Sequence, residues 1–200
     1  MSTKPITAII VGGGHRAFTY AELALKSPDK LKIVGIADPN PFRCEKARKM
    51  FGFPKENCFS SAEELAAVPK FADAVINGTM DHIHIKTSVP LLKAGYDILL
   101  EKPISPVLEE CVELARLAKV YNRKIVLGHV LRYTAYFQKI KEIIDSGIIG
   151  KVVAINQIEN VEFWHEAHSF VRGNWRNSDE SSPMILQKTC HDFDIFYWLT

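Results

Sequence analysis

Gly12-Gly13-Gly14-His15-Arg16-Ala17 has the spacing of a phosphate cradle and fits G-x-G-x-x-G/A. In such a turn Gly12 permits a tight reversal, Gly14 lets main chain approach a pyrophosphate, and Ala17 lets the following helix pack on the preceding strand. The first N–H groups of that helix, around His15 and Arg16, then offer partial positive charge to the phosphates. Asp38 stands near the spacing of a carboxylate that accepts hydrogen bonds from an adenosine ribose. Its charge repels a 2′-phosphate, which favours NAD over NADP. Arg43 can pair with that phosphate and leaves NADP open.

Glu101-Lys102-Pro103 is a second group with chemistry in it. It follows an apolar strand, and strand C-termini are where doubly wound sheets bind ligands. Moving a hydride off a carbinol carbon requires that the hydroxyl proton leave as well. A lysine can hydrogen-bond that oxygen, and a desolvated site beside a cationic nicotinamide lowers its pKa from about 10.4. Pro103 fixes the backbone as the chain leaves the strand.

The third group lies near the C-terminal end. On a helix, Gln187, His191, Asp194 and Trp198 share one face, at i, i+4, i+7 and i+11. His191 can hold and release a proton near neutral pH, whereas Gln187 can only orient a substrate. Lys188 adds a positive charge three residues before His191. Asp192 points off this face, as a solvated or capping residue. His165-Glu166-Ala167-His168 lacks the H-E-x-x-H spacing, so no metal is expected. With Phe163, Trp164 and Phe170, these histidines offer stacking faces and polar edges that suit a sugar ring.

Alternating elements must position these groups. Apolar runs at Ile6–Val11, Leu31–Ala37, Ala72–Asn77, Asp97–Leu100 and Lys124–Leu127 predict strands. Helices are predicted at Ala17–Leu25, Pro41–Phe51, Asp81–Lys93, Pro106–Tyr121 and Thr134–Ser146. Strands with almost no in-out alternation are buried on both faces, so the fold class is α/β, a doubly wound (Rossmann) parallel sheet. The pattern changes near Gly150. Lys151–Ile158 reads as a strand of different character, followed by an aromatic- and histidine-rich stretch without periodicity. The expected domains are 1–130, binding NAD(P), and 131–200, the start of a second domain.

In this order the motifs resemble those of the Gfo/Idh/MocA oxidoreductases, named after glucose-fructose oxidoreductase and inositol dehydrogenase. The carrying residues are the glycine turn, Asp38, Asp73-Ala74-Val75-Ile76 leading through Thr79 to His84, Lys93-Ala94-Gly95, and Glu101-Lys102-Pro103. Leu131-Arg132-Tyr133, Ser146-Gly147-Ile148-Ile149-Gly150, Trp175-Arg176 and a helix beginning near His191 complete the run. The resemblance implies a nicotinamide-dependent oxidoreductase acting on a sugar, polyol or related hydroxy compound. It implies Lys102 and His191 as catalytic residues, with Asp194 matching an acidic position three residues after the histidine. Thr79, His84, Glu101, Arg132, Trp175 and Arg176 join the cofactor's surroundings, and Trp164, His165, His168, Gln187, Lys188 and Asp194 join Lys102 and His191 around the substrate. Inositol-type members carry aspartate where this chain has Gln187, which departs from that pattern. The second domain is implied to be α+β, built on a mostly antiparallel sheet used for homo-oligomerisation as dimer or tetramer. Only its opening strand and helix are expected in this chain.

Bulk properties narrow the classes. The chain has 200 residues, 47% hydrophobic and 24% charged, with 25 Lys and Arg against 23 Asp and Glu and a formal net charge of +2. That balance gives no electrostatic case for nucleic acid or an anionic membrane. Cys44, Cys58, Cys111 and Cys190 are scattered, as in a reduced cytoplasmic protein, and no run approaches a membrane span.

Overall fold

Ile6–Val11 forms β1, and its last four residues are buried on both sides of a sheet. Ile9 and Val11 join one apolar cluster, while Ala8 and Ile10 join another. This alternation between two covered faces is why the strand shows no polar stripe. The computed structural model describes residues 4–178 and 180–200. They divide into two compact units, Met1–Leu127 and Gly128–Thr200.

In the first unit the chain runs from β1 into α1 (His15–Ala21) and α2 (Leu23–Lys26), then β2 (Leu31–Ala37) and α3 (Pro41–Phe51). β3 (Cys58–Phe59), α4 (Ala62–Ala67), β4 (Ala74–Asn77) and α5 (His84–Lys93) follow. β5 (Asp97–Leu100), α6 (Leu108–Val120) and β6 (Ile125–Leu127) complete it. All pairings are parallel, in the order β3-β2-β1-β4-β5-β6. The order reverses between β1 and β4, so their C-terminal ends flank the crevice of a doubly wound sheet. β5 lies next to β4, which places Glu101-Lys102-Pro103 on the same edge.

Local chemistry sets the helix ends. Asn40 caps α3 by accepting from the Phe42 N–H at 2.9 Å, Pro41 opens it, and Gly52 closes it at φ +74°. The Ser61 hydroxyl accepts from the Glu64 N–H at 3.1 Å, and the Glu64 carboxylate accepts from the Ser60 N–H at 2.6 Å. These reciprocal bonds start α4, which the hydrophobic pattern does not announce.

The second unit holds a 3₁₀ turn at Val130–Tyr133, then α7 (Ala135–Asp145) and α8 (Phe163–Glu166). A π-helical turn at Ala167–Val171 and α9 (Met184–Leu199) follow. Two expectations need correction here. Lys151–Ile158 is not a strand: a strand exists only where a neighbour accepts its N–H groups, and no pairing involves this segment among the described residues. The last helix begins at Met184, seven residues before His191, directly after Pro183. Among the described residues, no helix is long and apolar enough to cross a membrane.

Candidate cofactor and active site

The glycine turn sits against the loop after β4. Gly12 has φ +78°, and a Cβ there would lie 2.7 Å from Thr79 Cγ2 and 2.9 Å from the Thr79 main chain. Ala17 is fully buried, and a Cβ on Gly78 would lie 2.9 Å from the Ala17 Cβ. Both near-contacts let α1 start close to the sheet. Gly14 differs: the nearest atom to its would-be Cβ is the Gly78 carbonyl oxygen, at 3.7 Å. Its missing side chain therefore leaves approach room rather than relieving an internal clash. The first helical bond runs from the Phe18 N–H to the Gly14 carbonyl at 3.2 Å. The N–H groups of His15, Arg16 and Ala17 have no carbonyl one turn behind them, as at any helix start.

Asp38 is buried at the end of β2, with 3% of its surface exposed. Oδ2 accepts from the Gly13 N–H at 2.6 Å, and Oδ1 accepts from the Asn40 N–H at 2.7 Å. Arg43 Nη1 stands 3.4 Å from Oδ2. The carboxylate thus braces the glycine turn, a role its position in the sequence does not disclose.

Asn77, fully buried at the end of β4, organises the facing loop. Its Nδ2 donates to Thr87 Oγ1 at 2.9 Å and Ser88 Oγ at 3.0 Å, while its Oδ1 accepts from the Thr79 hydroxyl at 2.8 Å. Thr79 is thereby fixed beside Gly12. His84 opens α5 and is 1% exposed. Its Nδ1 lies 2.8 Å from the Pro103 carbonyl oxygen, and its Nε2 lies 3.1 Å from that of Thr79. Burial lowers the imidazole pKa, and the two carbonyls oppose that shift.

Glu101 is 9% exposed and receives two partners from α1. The Tyr20 hydroxyl donates to Oε1 at 2.5 Å, and Arg16 Nε stands 3.8 Å from the same oxygen. Burial, followed by the Glu101 carboxylate, holds the Tyr20 phenol far above its ordinary pKa. Tyr20 was missed in the sequence reading. The one signal for it is its position one helical turn after Arg16. Lys102 is half-buried; its N–H donates to Glu101 Oε2 at 3.2 Å, and the Lys102–Pro103 peptide is cis. Glycine turn, Asp38, Thr79, His84 and the Glu101-Lys102-Pro103 turn all come from strand C-termini or the helices that follow them.

The second unit gathers another set. Arg132 clamps Asp194 at 2.7 and 2.6 Å, with its guanidinium 5.7 Å from the Trp198 ring. His191 meets the His129 ring edge-on at 5.8 Å between centroids, and Gln187 is buried. Lys188 turns toward His165, with Nζ 2.6 Å from Nε2 and 5.6 Å from the Phe170 ring centre. Trp164 stacks on His168 at 6.3 Å, and Trp175 lies 6.4 Å from Phe170. Arg176 is exposed. Asp192, expected to be solvated or capping, instead accepts from the Gln157 amide. Among the described residues, no three His, Cys, Asp or Glu side chains converge to hold a metal ion.

A family model described as an oxidoreductase family with an NAD-binding Rossmann fold (Gfo/Idh/MocA) matches residues 6–129. The chain belongs to that family. The model of the Gfo/Idh/MocA C-terminal domain matches residues 137–200. Over 206 residues, the chain is 26% identical to an inositol 2-dehydrogenase from Leifsonia xyli subsp. xyli, covering 100% of this chain and 55% of that protein. Over 206 residues it is 24% identical to a 2,7-anhydro-N-acetylneuraminate hydratase from Mediterraneibacter gnavus, covering 98% and 50%. The scyllo-inositol dehydrogenase from Lactobacillus casei with bound NAD(H) and scyllo-inositol shares the fold, with TM-score 0.82 and 24% identity over 98% of this chain and 56% of that one. The chain spans about half the length of the curated relatives it matches.

The residues present fit the NAD bound by this Gfo/Idh/MocA fold. Gly14 leaves its Cβ position open, the first N–H groups of α1 are unspent by the helix, and Asp38 holds a buried carboxylate beside them.

Proposed function

We propose that the protein moves a hydride between NAD and a carbinol or carbonyl of a sugar, polyol or related compound. The observation that carries this reading is the pinning of the Lys102 turn on the same sheet edge as the glycine turn. Residues 1–130 would form the cofactor domain. Residues 131–200 would belong to the substrate domain, through whose sheet copies of the protein associate.

Gly12, Gly14 and the start of α1 receive the pyrophosphate, and Asp38 accepts from the adenosine ribose, favouring NAD over NADP. Bound there, the nicotinamide supplies the hydride acceptor or donor. Lys102 Nζ hydrogen-bonds the carbinol oxygen and stabilises the charge left as its proton departs. His191 takes up or returns that proton, while Gln187 and Lys188 orient the substrate beside it. The rings of Trp164, His165 and His168 give a sugar stacking faces and polar edges. Arg132, Trp175 and Arg176 would join the cofactor's surroundings, as the family resemblance implies.

The test is a screen of the purified protein with NAD or NADP against inositols, hexoses, sugar acids and nucleotide sugars, following absorbance near 340 nm. Reduction of NAD by one of these classes supports the reading. The hydratase among the relatives favours one second reading, in which the hydride is returned to the substrate within the cycle. Product formation with no net change at 340 nm would select that reading.

A further inference from the structure

Lys102 occupies a stretch that neither ladder nor helix holds, since β5 ends at Leu100 and α6 begins at Leu108. A side chain that must meet a reacting oxygen needs its backbone fixed from both sides. Upstream the fixing is visible: the Glu101 N–H donates to the Asn77 carbonyl at 2.9 Å, and the Glu101 carboxylate holds Tyr20. Downstream stands Pro103, which has no N–H to donate. Its carbonyl is the one main-chain polar group by which the residue after Lys102 can be tied. The His84 ring meets that carbonyl at 2.8 Å, and Nδ1 also lies 3.3 Å from the Ile104 carbonyl. The opposite edge of the ring rests on the Thr79 carbonyl at 3.1 Å. Thr79 is the residue that walls Gly12.

We propose that His84 is a positioning residue for Lys102, a strut between the Pro103 carbonyl and the Thr79 turn. The proposal rests on the reading of Lys102 as the acid/base lysine. His84 is itself 1% exposed, with both ring nitrogens on main-chain carbonyls, so it acts through these turns rather than on substrate. His84 was expected in the cofactor's surroundings, but its buried ring is held on the Pro103 and Thr79 carbonyls and touches neither Asp38 nor the glycine turn, so its loss should weaken turnover far more than dinucleotide affinity. A ring that only fills core volume would lower stability without acting through Lys102.

The experiment is a double-mutant cycle of His84→Leu and Lys102→Met, with NAD and scyllo-inositol as probes, alongside NADH fluorescence titration. His84→Leu should lower kcat about 10–100-fold, the scale of a misplaced catalytic group, while moving the NADH Kd by less than about threefold. In the Lys102→Met background the same change should cost almost nothing further, because the lysine it positions is gone. His84→Gln keeps one amide donor and should recover part of the loss; it also serves if His84→Leu folds poorly. An equal kcat factor in both backgrounds overturns the proposal. Full kcat in Lys102→Met alone overturns the lysine reading instead, and is seen without reference to His84. A substrate-free arm follows amide exchange with saturating NADH. His84→Leu should speed exchange about tenfold or more in segments 78–81 and 101–106 together, and leave β1 and β2 protected. Unchanged exchange in the 101–106 segment overturns the strut.

Discussion

Gly12 and Gly14 share a turn, yet the structure asks different things of them. Alanine at Gly12 would take the left-handed conformation, costing about 1–2 kcal/mol before its clash with Thr79 is counted. Gly12→Ala should therefore lower the melting temperature and abolish NADH binding together. Gly14→Ala meets nothing closer than 3.7 Å, so its melting temperature should hold while NADH affinity falls. Thermal melts paired with fluorescence titrations separate the two, and equal melting losses would contradict this division. Asp38 braces the glycine turn, and in the proposed function it meets the ribose as well. Asp38→Ser removes a ribose acceptor and a charge that repels phosphate, which should shift preference toward NADPH. It also removes the acceptor of the Gly13 and Asn40 N–H groups, each bond to a charged group being worth about 1.5–3 kcal/mol. NADH affinity should thus drop more than NADPH affinity gains; a clean exchange of one cofactor for the other would show that the brace does not matter.

At the scale of elements, α1 is tied to the end of β5 through Glu101, whose carboxylate accepts from Tyr20 and stands 3.8 Å from Arg16. Tyr20→Phe leaves a buried carboxylate short of a donor and should cost about 1–3 kcal/mol of stability by urea denaturation. No measurable loss would mean that Arg16 alone satisfies Glu101. The Tyr20–Glu101 contact joins residues 81 positions apart, and no local pattern announces it. The strands were legible because burial on both faces demands uninterrupted apolar runs, and the helices between them because those segments are longer and amphipathic, with Gly52 and Gly95 closing two of them. β3, two residues long, carries too little pattern to read. α4 was signalled only by the Ser61 and Glu64 pair. Lys151–Ile158 has strand-like residues, but a strand is a property of two segments and its sequence describes one. Among the site residues, the glycine turn and Glu101-Lys102-Pro103 were visible as motifs. Asn77, Tyr20 and the bracing role of Asp38 were not, since each acts through a partner distant in sequence.

Taken whole, the first unit presents the glycine turn, the Asp38 carboxylate that braces it and the Lys102 turn along one edge of a parallel sheet. The second unit carries His191 on α9, beside an Arg132–Asp194 clamp that fixes the same helix. The proposed division of labour puts dinucleotide binding in the turn and the carbinol proton on Lys102 and His191 together. Lys102→Met is the measurement that separates them, with NADH binding followed by fluorescence and turnover at saturating NAD on the carbinol that the screen identifies. The NADH Kd should stay within about threefold of the parent while kcat falls by about 10²–10⁴, the range for loss of a general acid/base group. A variant that keeps full kcat, or one whose turnover falls only because NADH no longer binds, would contradict that division.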